Sequence, residues 1–178
     1  METIAIHQLF LTPICDKHID SLFDIYNNER NMTFIPPRQY SASRSELAKK
    51  YKTHFKNGSQ LFAVKLSNSN KVIGEAGFYN SFKNHNELEI GYIIAYPYWN
   101  KGFGTEICRG LITYGFQQLH LENIHARMYT KNIASILISK KCGMQKINEG
   151  LDSHQNKFCH YQINKKQFYT FQQNEQSR

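Results

Sequence analysis

Residues 98–107 read YWNKGFGTEI, and this stretch sets the fold of the chain around it. It follows an apolar run that Pro97 ends, it carries Gly102 and Gly104 directly after Lys101, and an apolar repeat of helical spacing follows it. The first N–H groups of a helix have no partner inside the helix and lie at the positive end of its macrodipole. A strand that turns on glycines into a helix is therefore either an ordinary turn or a loop that holds phosphate.

The composition is that of a globular protein with an anionic partner. The chain has 178 residues, of which 40% are hydrophobic and 20% are charged. This predicts a single domain over residues 1–171, followed by a polar C-terminal tail at 172–178. Lys and Arg outnumber Asp and Glu by 22 to 14, which favours nucleic acid, a membrane surface or a polyphosphate ligand as partner. The basic residues are spread along the chain without a basic tail, which disfavours nucleic acid.

The cysteines and histidines show no metal-binding pattern. No C-x-x-C pair and no H-E-x-x-H sequence occurs among the four cysteines and eight histidines, so we expect no metal. The cysteines are expected to be reduced thiols. The N-terminus does not resemble a signal peptide, and no apolar run approaches the length of about 18 residues that a membrane helix needs. We therefore expect a cytoplasmic protein that does not bind membranes.

Hydrophobic periodicity gives the order of elements. The predicted strands are residues 3–11, 61–66, 72–80, 87–96, 123–130, 144–148 and 157–163, and the predicted helices are 16–26, 45–55, 102–119 and 132–142. Short Asn/Ser-rich connectors join the second, third and fourth strands, which is typical of an antiparallel meander. The order predicts an α+β fold with a mixed central sheet of six to seven strands and helices on both faces.

Three phosphate-loop signatures can be compared with the glycine loop. The dinucleotide form G-x-G-x-x-G is excluded because Ile107 occupies its third glycine position. The Walker form is excluded because no Gly-Lys-Ser/Thr sequence occurs. The acyl-CoA form, Gln/Arg-x-x-Gly-x-Gly/Ala, fits Gly102-Phe103-Gly104, but Trp99 stands at its first position in place of Gln or Arg.

With its flanks, this loop resembles the central motif of the GNAT superfamily of N-acetyltransferases. The resemblance is to the branch of ribosomal-protein N-terminal acetyltransferases (RimJ/RimL-like), which often reads IGYWL…YWGKGYATEA and then N-x-x-S…K-x-GF. The counterparts here are IGYII…YWNKGFGTEI and NIAS…KKCGM, and the resemblance spans residues 4–168. It implies a GNAT fold, splayed between its fourth and fifth strands. It also implies direct transfer of acetyl from acetyl-CoA to a primary amine, by a monomer or homodimer.

The resemblance also implies where acetyl-CoA binds. A bulge in the fourth strand, near residues 92–95, would free backbone N–H groups for the pantetheine arm, and the Ile94 N–H would receive the thioester oxygen. The pyrophosphate would lie on residues 101–105, and Asn132, Ser135 and Ser139 share one stripe of the following helix. The implied cofactor-binding residues are Ile93, Ile94, Ala95, Trp99, Asn100, Lys101, Gly102, Phe103, Gly104, Thr105, Asn132, Ser135 and Ser139.

Two catalytic roles remain to be filled. Ser135 is the candidate donor to the leaving thiolate, and an ammonium acceptor also needs a general base. Glu89, on the fourth strand, and His154, in a segment where some relatives carry a carboxylate, are the candidates, ahead of Glu87 and Glu149. Each of these residues also has an ordinary structural explanation, as an exposed strand carboxylate or a loop histidine.

The acceptor side is less defined. Phe34, Tyr40, Phe78 and Tyr79 are candidates for the wall of the acceptor pocket, and Glu106 is interpreted as a partner of the helix dipole. An N-terminal peptide amine, a polyamine, an aminoglycoside and an amino sugar all stay open as acceptors. The alternatives to an enzyme are a non-catalytic acyl-CoA-binding regulatory module and a basic nucleic-acid-binding domain.

The sequence departs from the branch at three places. Asn100 stands where the branch usually has glycine, Gln8 and Thr12 stand where its first strand often has arginines, and Cys142-Gly143-Met144 replaces a Gly-Phe ending. These departures weaken the assignment of a ribosomal-protein substrate but leave the cofactor assignment unchanged.

Overall fold

A computed structural model describes residues 1–35 and 43–176. The strands are β1 (Ile4–Ile6), β2 (Leu9–Pro13), β3 (Gln60–Leu66), β4 (Val72–Asn84), β5 (Glu87–Ile94), β6 (Asn123–Tyr129), β7 (Gln145–Leu151) and β8 (Lys157–Asn164). The α-helices are α1 (Ile19–Tyr26), α2 (Glu29–Met32), α3 (Arg44–Lys56), α4 (Phe103–Gln117), α5 (Ile133–Lys141) and α6 (Lys165–Gln176). Short 3₁₀ turns cover Asp16–His18 and Tyr96–Tyr98.

All strands join one sheet, which opens in its middle. The strand order is β1-β2-β3-β4-β5-β6-β8-β7, and the β5–β6 pair is parallel. That pair is limited to three residue pairs, which join Glu87–Glu89 to Asn123–His125. Beyond them β5 continues along β4 as far as Ile94, while β6 continues along β8 as far as Tyr129. The two strands therefore diverge and leave a V-shaped opening.

The predicted bulge near residues 92–95 is wrong. The register of β4 against β5 runs without a shift from the Tyr79–Glu89 pair to the Gly74–Ile94 pair. The irregularity lies in β4 instead, between Tyr79 and Asn84. The opening arises because β5 and β6 follow different neighbours after their short contact, so it needs no bulge in β5.

Alternation along the strands builds a core on each face of the sheet. On one face Phe78 and Ile90 pack with α4, and on the other Leu61 and Ile93 pack with α1 and α3. The predicted α+β fold with a mixed sheet, helices on both faces and a splay is therefore confirmed, with eight strands. In the described ranges no helix is long and apolar enough to cross a membrane.

Three features of the fold differ from the sequence-based prediction. The first predicted strand is a hairpin of β1 and β2, whose turn is tied to α4 by a 2.6 Å hydrogen bond from the Gln8 N–H to Glu106 Oε1. The short helix α2 lies in a region predicted as loop. Helix α6 was not predicted, and it extends through residues 172–176 of the predicted tail.

Candidate active site

A cavity of about 530 Å³ lies at the opening between β5 and β6. Both diverging strands line it, together with the end of α1, the segment after α2, the first turns of α5 and the residues after β7. Five residues predicted to bind acetyl-CoA or to act in catalysis are among its lining: Glu89, Ile93, Asn132, Ser135 and Ser139. The diverging strands thus bring predicted cofactor and catalytic residues together in one space.

Backbone N–H groups of β5 face the opening. The Ala95 N–H donates to the Ile73 carbonyl at 2.8 Å, and the β4–β5 register is antiparallel. In an antiparallel pair, alternate residues point their backbone groups away from the partner strand. The N–H groups of Tyr92 and Ile94 are therefore directed to the edge of β5 that faces the opening.

The two glycines of the loop have different roles. Gly102 has φ +85° and is the N-cap of α4, with open space where a Cβ would lie, so its backbone conformation is what requires glycine. Gly104 lies in the first turn of α4, and a Cβ there would be 2.8 Å from Ile138 Cδ1. Gly104 therefore allows close packing of α4 on α5.

Positive charge gathers beside the first turn of α4. The ammonium groups of Lys101 and Lys71 lie 5.5 and 5.7 Å from the centroid of the Tyr98 ring. Lys71, just before β4, was missed because it is 30 positions away in the chain and only the sheet brings it close. The N-terminus of α4 and two lysines give this loop the positive charge that favours an anion.

Two side chains fix the loop to the rest of the molecule. The Trp99 indole N–H donates to the Ile94 carbonyl at 2.6 Å, which ties the loop to the end of β5. Asn31 is 6% exposed; its side chain donates to the Ile25 carbonyl at 2.8 Å and accepts from the Tyr96 N–H at 2.7 Å. The end of α1 and the loop are thereby held together.

The polar stripe of α5 faces the cavity. Asn132 is the N-cap of α5 and accepts a 3.2 Å hydrogen bond from the Ser135 N–H, so it caps the helix as well as lining the cavity. Ser135 also hydrogen-bonds the Tyr92 hydroxyl, and burial raises the pKa of Tyr92 well above its usual value. Ser139 is 2% exposed. The stripe therefore lies within the site, deeper at Ser139 than at its start.

Glu89 lines the cavity but is held in an ion pair. The Arg127 guanidinium donates to both of its oxygens, at 3.0 and 2.5 Å, and also stacks over Phe82. A proton taken up by Glu89 would break this bidentate pair, so the geometry disfavours Glu89 as a base.

His154 is exposed on a turn and is not among the cavity residues. Asp152 is the acidic group of that segment that lines the cavity. It accepts from the Tyr129 hydroxyl at 2.9 Å and from the N–H groups of His154 and Asn156 at 2.8 and 2.9 Å. These hydrogen bonds, those from Asn156 first, lower the pKa of Asp152 to about 2, so it is a fixed anion.

A buried carboxylate that the sequence analysis did not single out lies behind the cavity wall. Glu75 is 2% exposed and accepts three tyrosine hydroxyls: Tyr79 at Oε1 (2.7 Å), and Tyr26 (3.0 Å) and Tyr51 at Oε2. We call these four residues the Glu75 cluster. Tyr26 and Tyr79 line the cavity, and Tyr51 is not among its lining residues.

The other candidate residues for the acceptor pocket and for the general base lie in different environments. Phe34 and Tyr79 line the cavity, whereas Phe78 is fully buried in the core on the other face, because alternation along β4 turns it away. Tyr40 lies outside the described residues. Glu87 accepts a 3.0 Å hydrogen bond from the Asn123 side chain, and Glu149 is exposed and forms an ion pair with Lys146.

Within residues 1–35 and 43–176, no group of three or more His, Cys, Asp or Glu side chains is arranged to hold a metal.

Known proteins are similar to this chain in sequence or in fold. An uncharacterized N-acetyltransferase, p20 of Bacillus licheniformis, is 28% identical over 154 residues, covering 85% of each chain. The spermidine N-acetyltransferase of Vibrio cholerae in complex with CoA and spermine superposes with a TM-score of 0.79 at 20% identity, covering 91% of this chain and 98% of that one. The ribosomal L7/L12 α-N-protein acetyltransferase RimL in complex with coenzyme A superposes with a TM-score of 0.80 at 15% identity, covering 92% and 98%.

A family model for the GNAT acetyltransferase domain matches residues 8–145. The match includes β2 to α5, and with them the opening, the loop and the polar stripe. The chain belongs to the GNAT acetyltransferase family and is an acyltransferase.

Proposed function

We propose that this protein transfers an acetyl group from acetyl-CoA directly to a primary amine. The observation that carries the proposal is the opening between β5 and β6, with outward-facing N–H groups on the edge of β5 and the positively charged glycine loop following that strand. A thioester with a pyrophosphate tail needs both features at one place. The two solved neighbours described above contain CoA, which supports the same donor here.

The donor would be bound mainly by backbone. The pyrophosphate would lie on the first turn of α4, with Lys101 and Lys71 adding charge. The pantetheine arm would run along the edge of β5, where the Ile94 N–H would donate to the thioester oxygen and stabilise the oxyanion that develops on attack. Ser135, beside Tyr92, would supply the proton that the departing thiolate needs.

The cavity favours a cationic acceptor. Its lining contains the carboxylates of Glu89 and Asp152, the guanidinium of Arg127 and several aromatic rings. Asp152 stays ionised at neutral pH, and tyrosine faces attract ammonium groups. A polyamine fits this chemistry, as in the spermine-bound neighbour, and a peptide N-terminus of the ribosomal kind is the second candidate. We propose the cytoplasm as the compartment, since all four cysteines are free thiols.

Two measurements test the proposal. Acetyl-CoA at about 100 times its Kd should stabilise the fold by about 2.7 kcal/mol in thermal unfolding. Release of free thiol from acetyl-CoA should then follow addition of one member of a panel of spermidine, an N-terminal peptide, an aminoglycoside and an amino sugar. Stabilisation without thiol release would favour a non-catalytic acyl-CoA-binding module. A fold that acetyl-CoA does not stabilise would contradict the donor assignment.

A further inference from the structure

An acceptor ammonium must lose a proton before its nitrogen can attack. Neither Glu89 nor His154 is well placed to take it. Both oxygens of Glu89 accept hydrogen bonds from Arg127. His154 is exposed and is not among the residues that line the cavity. The proton acceptor has to be another group that reaches the cavity.

The Tyr79 side chain runs along the sheet toward the opening. Tyr79 pairs with Glu89 in the register, and its ring lies over Gly91, where a Cβ would be 3.0 Å from Tyr79 Cε2. Its hydroxyl reaches Glu75, which pairs with Ile93. The ring therefore covers Gly91, and its hydroxyl extends from there toward Glu75, in the direction of the end of β5 where the Ile94 N–H faces the opening.

We infer that the Tyr79 hydroxyl and the Glu75 carboxylate form a proton relay for the acceptor amine, an inference that rests on the proposed acetyl transfer. The ammonium gives a proton to Tyr79 Oη while the hydroxyl proton passes to Glu75 Oε1. This leaves a neutral amine, an intact tyrosine and a protonated carboxyl group. Tyr79 is then a catalytic residue, and Glu75 acts through it.

The proton balance of the whole reaction closes. The neutral nitrogen bonds to the acetyl carbon, the carbon–sulfur bond breaks, and the departing thiolate becomes a thiol. A second proton leaves the nitrogen as the amide forms and balances the one that the thiolate takes. After the product leaves, Glu75 returns its proton through Tyr79 to water in the cavity, so one proton is released per amide.

The surroundings of the relay keep the tyrosine protonated. Partial burial and the Glu75 charge raise the pKa of Tyr79 well above its usual value, so its hydroxyl remains a donor to the carboxylate at neutral pH. The other charged or titratable groups that face the pair come from three elements: Tyr26 of α1, Lys50, Tyr51 and His54 of α3, and Glu89 of β5.

Tyr79→Phe and Tyr51→Phe form a matched pair of variants. Each removes one hydroxyl that donates to Glu75, but of the two tyrosines only Tyr79 is among the residues that line the cavity. With the panel amine that the wild type acetylates fastest, Tyr79→Phe should lower kcat/KM about 10²-fold at neutral pH. The defect should shrink toward pH 10, where an alkyl amine with a pKa of about 10.4 is increasingly neutral in solution. Tyr51→Phe should retain most of the activity at every pH.

Glu75→Gln adds a second arm. The amide oxygen can still accept tyrosine hydroxyls but cannot take up a proton, so the same pH-dependent loss is expected, with thermal unfolding as the check on folding. Acetyl-CoA should stabilise every variant as it does the wild type. A pH-independent defect of equal size in Tyr79→Phe and Tyr51→Phe would show a structural role and overturn the relay.

A pH-dependent defect found in Tyr26→Phe instead of Tyr79→Phe would overturn the assignment of Tyr79. These outcomes contradict the relay alone, because the wild type still transfers acetyl. Wild-type protein that acetylates no amine of the panel would contradict the proposed function itself.

Discussion

Asn100 has φ +58°, in the left-handed region that glycine adopts freely and asparagine tolerates better than most residues. It occupies the position where the resembling branch usually has glycine. The substitution therefore keeps the backbone conformation of the loop. The sequence alone marked Asn100 as a departure, and its φ supplies the physical reason why the departure is tolerated.

Asn100→Ala should lower the free energy of unfolding by about 1 kcal/mol, because alanine pays the steric cost of the left-handed conformation. Asn100→Gly should be neutral or slightly stabilising. Urea unfolding of both variants measures the difference, with Lys101→Ala as a neighbouring control. Equal stabilities of the alanine and glycine variants would show that the conformation of residue 100 does not limit stability.

Ser135→Ala should lower kcat more than it weakens acetyl-CoA binding. Ser135 lines the cavity with its side chain beside Tyr92, whereas the backbone N–H of residue 135 still donates to Asn132 Oδ1 in the variant. Steady-state kinetics together with an acetyl-CoA titration separate the two effects. An unchanged kcat would remove Ser135 from the chemistry.

At the scale of elements, the glycine loop depends on residues far from it in the chain. Its helix, its two glycines and Lys101 follow from local sequence rules. Asn31 and Lys71 do not, because no short-range pattern links α2 or the start of β4 to residues 96–104. The Glu75 cluster could not be predicted from the sequence for the same reason. Its hydrogen bonds join α1, α3 and β4, and only folding brings these elements together.

Asn31→Ala should destabilise the fold by about 1–3 kcal/mol, since it leaves the Ile25 carbonyl and the Tyr96 N–H without their partner. It should also weaken acetyl-CoA binding, because Tyr96 begins the turn that leads into the loop. Thermal unfolding with and without acetyl-CoA gives both quantities. Asn27→Ala, an exposed asparagine at the end of α1, is the control. A lower stability of the fold with unchanged acetyl-CoA binding would show that Asn31 does not position the loop.

At the scale of the whole molecule, the fold was largely predictable because its helices and strands carry clear apolar periods. The errors fall where tertiary contacts override local pattern. The β1–β2 hairpin turns at His7 and Gln8 without glycine or proline, and a bond to α4 holds that turn. Helix α6 is polar over most of its length, and it packs through residues such as Phe168.

The stability of the whole chain should fall as the pH drops below about 6.5. Burial lowers the pKa of His125 and of His160, whose rings meet with Nδ1 and Nε2 3.0 Å apart. A histidine with a lower pKa in the folded state binds fewer protons there than in the unfolded chain. The contribution of the two histidines to stability is therefore fully present above their pKa of about 6.5 in the unfolded chain, and it is lost as the pH falls through their lower pKa in the folded state.

His160→Gln should make this dependence shallower, and exposed His154→Gln is its control. Urea unfolding between pH 5 and 8 measures the slope. An identical slope in His160→Gln and the wild type would contradict the contribution of the pair.

The three residue pairs between β5 and β6 have one more consequence. The sheet is continuous on each side of this seam but is interrupted along most of the seam itself. A donor arm that bonds to the edge of β5 would serve as a surrogate strand. Amide hydrogen exchange should then slow in β5 and β6 together when acetyl-CoA binds, although its phosphates would lie on α4. Bound acetyl-CoA would bridge the two halves of the sheet where β5 and β6 do not pair, and each turnover would remove and replace this bridge.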